Sequence, residues 1–257
     1  MTTHHTPRKR FGQDFLTDRG VIQAIVRAID PRPDDIMVEI GPGLGALTDP
    51  LLRILPRLHV VEIDRDIIAR LENNYPKAKL TIHAGDALKF DFSTLGERIR
   101  VVGNLPYNIS TPILFHLSEY VGNIIDMHFM LQKEVVERMV AAPSTPAYGR
   151  LSVMLQYRYA MELMFIVPPD AFHPAPKVES AIVRMIPYAV LPHPAKDESL
   201  FGAIVTAAFG QRRKTLRNTL KAHLDDAGFA ALEIDPGLRA ENLGVREFVA
   251  ISNYCKG

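Results

Sequence analysis

Short β-branched runs alternate with longer helical patterns along the first half of this chain, and that alternation leaves few architectures open. Ile36–Ile40, His59–Ile63, Leu80–His83, Arg100–Val102 and Met127–Leu131 read as strands, and Leu44–Leu55, Arg65–Tyr75 and Thr111–Val121 read as helices between them. Strand alternating with helix needs crossover connections, so the sheet is expected to be mostly parallel, with helices on its faces. Met161–Val167 and Ser180–Pro187 add two strand candidates joined by a Pro-rich loop. With no helix between them, they are expected to pair antiparallel at one sheet edge. An α/β domain with seven strands is therefore predicted over residues 1–187. The segment 187–198 carries three prolines in twelve residues and reads as a linker. Leu200–Phe209, Arg213–Leu224, Ala227–Glu233 and Arg246–Tyr254 then follow helical patterns, which predicts a small all-helical second domain over 188–257.

Charge needs a local reading. The 257 residues carry 30 basic and 29 acidic side chains, a net charge of +1, which taken alone argues against a nucleic-acid partner. Two blocks break the balance. Arg8, Lys9 and Arg10 sit in an arm with no acid before Asp14. Residues 199–224 hold Arg212, Arg213, Lys214, Arg217 and Lys221 and no acid at all. On a helix, Arg213, Arg217 and Lys221 would share one face beside a stripe of Leu216, Leu220 and Leu224. Like charges at this spacing repel by a few tenths of a kcal/mol per pair, about 0.2–0.5. A face that accepts this cost points to RNA phosphates. The bland alternative is a solvated basic face.

The single cysteine, Cys255, excludes an internal disulfide framework and fits a reducing compartment. No apolar run approaches the ~18 residues of a membrane helix. The N-terminal residues lack the apolar core of a signal peptide, so a cytoplasmic protein is expected. The nine histidines show no metal-ligand spacing, and no metal site is expected.

Chemistry concentrates at predicted strand ends. Glu39-Ile-Gly41-Pro-Gly43-Leu-Gly45 lies after one strand and before a helix. Glycines there let the backbone approach a ligand, and a helix N-terminus offers free N–H groups. The G-x-G-x-G spacing differs from the dinucleotide fingerprint. Glu62 closes the next strand, where an acid can accept hydrogen bonds from ribose hydroxyls. Asp86 follows the third strand and can accept from an adenine amino group; taken alone it is as well explained as a turn cap. The fourth strand runs into Asn104-Leu105-Pro106-Tyr107. Here an amide oxygen, a proline-stiffened backbone and a stacking ring occur together, as a base-modifying enzyme needs.

These motifs, with QDFL near the start, FHPAPKVESAIVRM at 172–185 and FGQRRKTLRNTL at 209–220, resemble the ribosomal RNA adenine N6-dimethyltransferases over almost the whole chain. Within that family the likeness is greatest to bacterial small-subunit enzymes, which dimethylate two adjacent adenosines near the 3′ end of 16S rRNA. The resemblance implies a Rossmann-like class I methyltransferase domain with S-adenosylmethionine as methyl donor. By position, Asp14, Leu16, Gly41, Gly43, Glu62, Asp86 and Asn104 would line the donor site. Asn104, Pro106, Tyr107 and Phe172 would hold and activate the target adenine. Asp14 departs from the Asn or His common in the family; it keeps an acceptor oxygen but loses a donor. Without the family pattern, Phe172 would read as a packing residue.

The implied partner is 16S rRNA in an immature small subunit, engaged by a monomer. Three other readings have distinct signatures. A 23S rRNA adenine methyltransferase of the macrolide-resistance type shares the chemistry but not the FGQRRKTLRNTL segment. A ribosome-assembly factor would use binding as its principal activity. An NAD-dependent dehydrogenase would need another glycine spacing and a hydride-transfer site.

Overall fold

The computed structural model describes residues 15–106 and 109–257. They form two compact units, one of the residues up to 136 with 162–187, the other of 137–161 with 188–257.

In the first unit, β1 (Phe15–Leu16) leads into α1 (Arg19–Ile29), followed by β2 (Ile36–Ile40), α2 (Thr48–Leu51), β3 (Leu58–Glu62), α3 (Arg65–Asn74) and β4 (Leu80–Ala84). Next come β5 (Ile99–Asn104), α4 (Ser110–Leu117), β6 (Ile124–Gln132) and α5 (Lys133–Val140), whose last residues belong to the second unit. After α6 (Arg150–Gln156) the chain returns through β7 (Tyr159–Val167), β8 (Phe172–His173) and β9 (Ser180–Pro187). The seven-stranded sheet has the order β4-β3-β2-β5-β6-β9-β7. β4, β3, β2, β5 and β6 run parallel, and β9 is antiparallel to β6. The predicted mostly parallel sheet is therefore present. The two late strands are neighbours as expected, with β9 inside the sheet and β7 at its edge. A separate two-stranded ribbon pairs Leu16 of β1 with Phe172 of β8.

The second unit contains α6, α7 (Glu198–Phe209), α8 (Leu216–Thr219), α9 (Asp226–Ala231) and α10 (Val245–Lys256). Its core joins Tyr148, Val153 and Tyr157 to Phe201, Leu216, Leu220, Phe229 and Phe248. Gln156 donates to the carbonyls of Met139 and Ala141 at 2.9 and 2.8 Å, which ties α6 to the end of α5. Residues 137–161, assigned by sequence to the first domain, thus pack among helices that follow the linker. Their sequence carries no boundary signal because the hydrophobic partners lie some fifty residues downstream.

Two expected helices shorten for local reasons. Leu44–Leu55 keeps only α2, because Gly43 and Gly45 hold left-handed φ values of +54° and +93°. Arg213–Leu224 keeps only α8. Thr215 is extended at its N-cap, and the N–H groups of Leu216 and Arg217 donate to the carbonyls of Leu238 and Pro236. The backbone before Leu216 is therefore not helical, and Arg213 does not share a helix face with Arg217. The leucine stripe survives as burial: Leu216, Leu220 and Leu224 all lie inside.

One buried ion network joins four segments of the first unit. Arg100 of β5 makes a two-pronged pair with Asp126 of β6, both bonds 2.8 Å, and reaches Asp35 at 2.6 Å before β2. It also donates to the carbonyls of Ile29 and Asp30, where α1 ends in a left-handed residue. Removing Arg100 would leave two carboxylates and two carbonyls without this partner. Arg100→Ala is expected to cost about 3–5 kcal/mol of stability, the range for breaking a buried pair, read from urea unfolding.

Candidate active site

β2, β3 and β5 run parallel, so their carboxyl ends reach one edge of the sheet together. The chain passes from β2 to β3 on one side and later returns to place β5 on the other, which opens a crevice at the switch point. A cavity of about 510 Å³ lies there. Its walls include Leu16, Glu39, Gly41, Gly43, Glu62, Asp86, Asn104, Pro106 and Phe172. Every described residue that the sequence placed in the donor or adenine site lines this one cavity. Asp14 and Tyr107 lie outside the described residues, as do Arg8, Lys9 and Arg10.

Backbone conformation explains the glycines. Gly41 has φ +66° and its N–H donates to the Val61 carbonyl at 3.0 Å, so the turn leaves β2 against β3. A Cβ on Gly45 would stand 2.5 Å from the Tyr75 hydroxyl, which is itself bonded to Asp49 at 2.6 Å. Gly103 was not singled out from sequence, yet a Cβ there would meet the Ile40 carbonyl at 2.5 Å. That contact lets β2 and β5 approach closely beneath the cavity. Its place directly before the Asn104 motif is the only sequence signal for it.

The acids differ in their surroundings. Glu62 accepts N–H bonds from Ile63 and Asp64, both 2.8 Å, and a third from Gly43. Burial still raises its pKa, but these donors oppose the shift. Glu39 is 2% exposed and accepts one bond, from the Thr48 hydroxyl at 2.6 Å. Burial pushes its carboxyl up to about 7, and the charges of Glu62 and Asp49 push the same way against the Thr48 bond. Sequence reasoning quoted Glu39 within the glycine motif without giving it a part. Asp86 uses Oδ1 to cap a short turn, accepting from Leu88 at 3.0 Å. Its Oδ2 has no protein partner among the described residues and stays available to a ligand.

The wall at Asn104 and Phe172 is a strand end and a ribbon. Asn104 closes β5, and the Leu105 N–H donates to the Met130 carbonyl at 3.2 Å. The Pro106 carbonyl already accepts from Ile109 at 3.1 Å. Phe172 is 5% exposed and faces Leu16 across the β1–β8 ribbon, so it packs and lines the cavity at once. The left-handed glycine turn, an oxygen acceptor at Glu62 and a spare one at Asp86 suit an adenosyl ligand; the concentration of acids suits a cationic one.

In the second unit, Arg212, Arg213, Lys214, Arg217 and Lys221 are all exposed. The segment is less free of acid than its sequence suggests, because Asp226 of α9 lies 3.2 Å from Arg217. Among the described residues no group of three or more His, Cys, Asp or Glu is placed to hold a metal ion. No helix among them is long and apolar enough to cross a membrane.

A family model described as ribosomal RNA adenine dimethylase matches residues 4–256. The chain is 71% identical over 250 residues to a protein of Methylobacillus flagellatus named ribosomal RNA small subunit methyltransferase A, covering 97% of this chain and 98% of that one. A crystal structure of a dimethyladenosine transferase from Plasmodium falciparum superposes with a TM-score of 0.76 at 26% identity, covering 92% of this chain and 95% of that one. The 23S rRNA methyltransferase ErmE shares the fold, with a TM-score of 0.71 at 23% identity over 95% of this chain and all of that one.

The strand contact at Gly103 can be tested directly. Gly103→Ala is expected to lose roughly 1–3 kcal/mol by overpacking. It is also expected to weaken S-adenosylmethionine binding, because β2 and β5 must part beneath the cavity. Urea unfolding and a binding titration check the two effects.

Proposed function

Since the chain belongs to the ribosomal RNA adenine dimethylase family, we propose that it transfers methyl groups from S-adenosylmethionine to N6 of two adjacent adenosines near the 3′ end of 16S rRNA. The observation that carries this reading is the single cavity joining the glycine turn, Glu62 and Asp86 to Asn104 and Phe172. The small-subunit choice rests on high identity to a relative whose name specifies that subunit. Likeness to ErmE is one of fold and does not favour a 23S substrate.

Gly41, Gly43 and Leu16 line the cavity assigned to the donor, and Asp14, outside the described residues, is assigned to it by its position in the family motif. Glu62 takes the ribose hydroxyls and Asp86 the adenine amino group of the donor. The donor carries its methyl on a sulfonium, which departs as a neutral thioether and needs no acid. The target N6 lone pair is delocalised into its ring, and the nitrogen gains positive charge as its new bond forms. Asn104 accepts one N6 hydrogen. A carbonyl of the Leu105–Pro106 segment accepts the other; that of Pro106 already takes one bond, from Ile109. Fixed acceptors aimed at a developing charge lower the barrier without a general base. Tyr107 and Phe172 clamp the adenine after it leaves its stack.

We place the domain boundary at 187/188, where the last strand of the sheet ends, with residues 137–161 assigned to the helical unit. We assign the RNA backbone to Arg212, Arg213, Lys214, Arg217 and Lys221, helped by Arg8, Lys9 and Arg10. Such contacts position the enzyme and make binding salt-dependent; RNA and subunit shape select the site. The enzyme acts as a monomer on the immature small subunit in the cytoplasm. Transfer of labelled methyl to undermethylated small subunits, with the product base identified by mass, tests the whole reading. Label in 23S RNA would overturn it.

Asn104→Ala is expected to lower methyl transfer about 10²–10³-fold or more with an unchanged unfolding curve, as loss of a transition-state acceptor predicts. If that variant restores subunit maturation fully in a deletion strain, subunit binding is the principal function. Reversing Arg213 and Arg217 to Glu is expected to weaken subunit binding, more so at low salt. Sedimentation binding at two salt concentrations checks it.

A further inference from the structure

Around Glu39 the described charges are mostly of one sign. Glu62 faces it from β3 and Asp49 from α2, and the cavity wall adds Asp86. Asp49 is turned partly toward the Tyr75 hydroxyl at the end of α3. The cations are Arg19 of α1, exposed on the wall and making no ion pair with Glu39, and Arg70 of α3, whose charge acts on the Tyr75 hydroxyl that also feels Glu39 and Asp49. Glu62 has three backbone N–H donors to support its charge, whereas Glu39 has the Thr48 hydroxyl. Of the two buried acids, Glu39 is therefore the one for which a proton is the cheaper companion.

We propose that Glu39 is a proton-linked counter-charge to the methyl donor: it carries a proton in the ligand-free protein near neutral pH and releases it to solvent when the sulfonium cation occupies the cavity. The proposal rests on the methyltransferase reading and deepens it. Glu39 lines the cavity assigned to the donor, with its carboxyl held by the Thr48 hydroxyl. Burial pushes its carboxyl up to about 7, near the pH at which the proton is exchanged. The methyl donor carries a positive charge at sulfur that its product, S-adenosylhomocysteine, lacks; their amino-acid tails are identical. Donor binding therefore expels more proton than product binding, and rising pH favours donor over product.

Linkage also fixes a sign in the ligand-free protein. An acid whose folded pKa lies above its unfolded value supports the fold in its protonated form. That contribution is complete below about 4.5 and is lost as pH rises through about 7.

Calorimetric titration of the full chain with S-adenosylmethionine, and separately with S-adenosylhomocysteine, in phosphate and in Tris counts the protons released. At pH 7 the donor is expected to release more proton than the product, by at most about half a proton, and donor affinity to rise toward about tenfold per pH unit below the midpoint. In Glu39→Gln, which keeps the shape and the Thr48 partner, the donor–product difference is expected to vanish. Thr48→Val removes the bond that favours the ionised form, so the midpoint of proton release should move to higher pH. Equal release for both ligands in the unmodified protein, or an undiminished difference in Glu39→Gln, would overturn the proposal. If Glu39→Gln does not fold, an unmoved midpoint in Thr48→Val overturns it instead. Failure of the unmodified protein to bind either ligand would overturn the methyltransferase reading itself, whereas binding without proton release removes this proposal alone.

Discussion

The close approach of β2 and β5 is the constraint on which the site depends. A parallel pair joined by distant chain segments opens a crevice at its carboxyl ends, and here Gly103 lets the Ile40 carbonyl come within the space a side chain would fill. The glycine turn then leaves one strand and Asn104 ends the other, only a few ångströms apart: a Cβ on Gly41 would be 3.9 Å from the Asn104 carbonyl. The glycine turn and the Asn104 motif therefore meet through backbone geometry, before any side chain is chosen. Arg100 secures the same two strands lower down by tying β5 to β6 and to the segments that lead into β2.

Within that crevice two similar carboxylates have dissimilar environments. Glu62 receives backbone N–H groups from the turn after its own strand and from the glycine loop, which oppose the upward push of burial. Glu39 sits deeper with a hydroxyl and like-charged neighbours. The glycine turn supplies one of the Glu62 donors, from Gly43, whereas Glu39 has the Thr48 hydroxyl. Charge in this cavity is accordingly set by hydrogen-bond supply as much as by the number of acids.

The second unit shows how charge and shape separate. Its leucine stripe is buried as the spacing predicts, but a helix is not what buries it. Backbone bonds from Leu216 and Arg217 to the 236–238 loop stop the helix short, so the basic residues are displayed from a turn and one short helix. Asp226 then supplies Arg217 with an acid from outside the segment. An acid-free stretch of sequence is not an acid-free surface.

Much of the fold and site was legible because the signals are local. Alternating apolar runs mark strands β2 to β6 to within a few residues, and a glycine turn, a strand-ending acid and the Asn104 motif carry their chemistry in short spacings. Helix α1, the β1–β8 ribbon and the place of residues 137–161 were not legible, since each is decided by partners distant along the chain. Asp86 remains double in character for the same reason: one oxygen caps a turn and the other is spare, a division no spacing reveals. The sequence by itself determined which side chains and turns the chain has to offer. Tertiary structure decided which of them share a cavity and where charge is retained, because proximity and dehydration come from contacts between segments far apart in the chain.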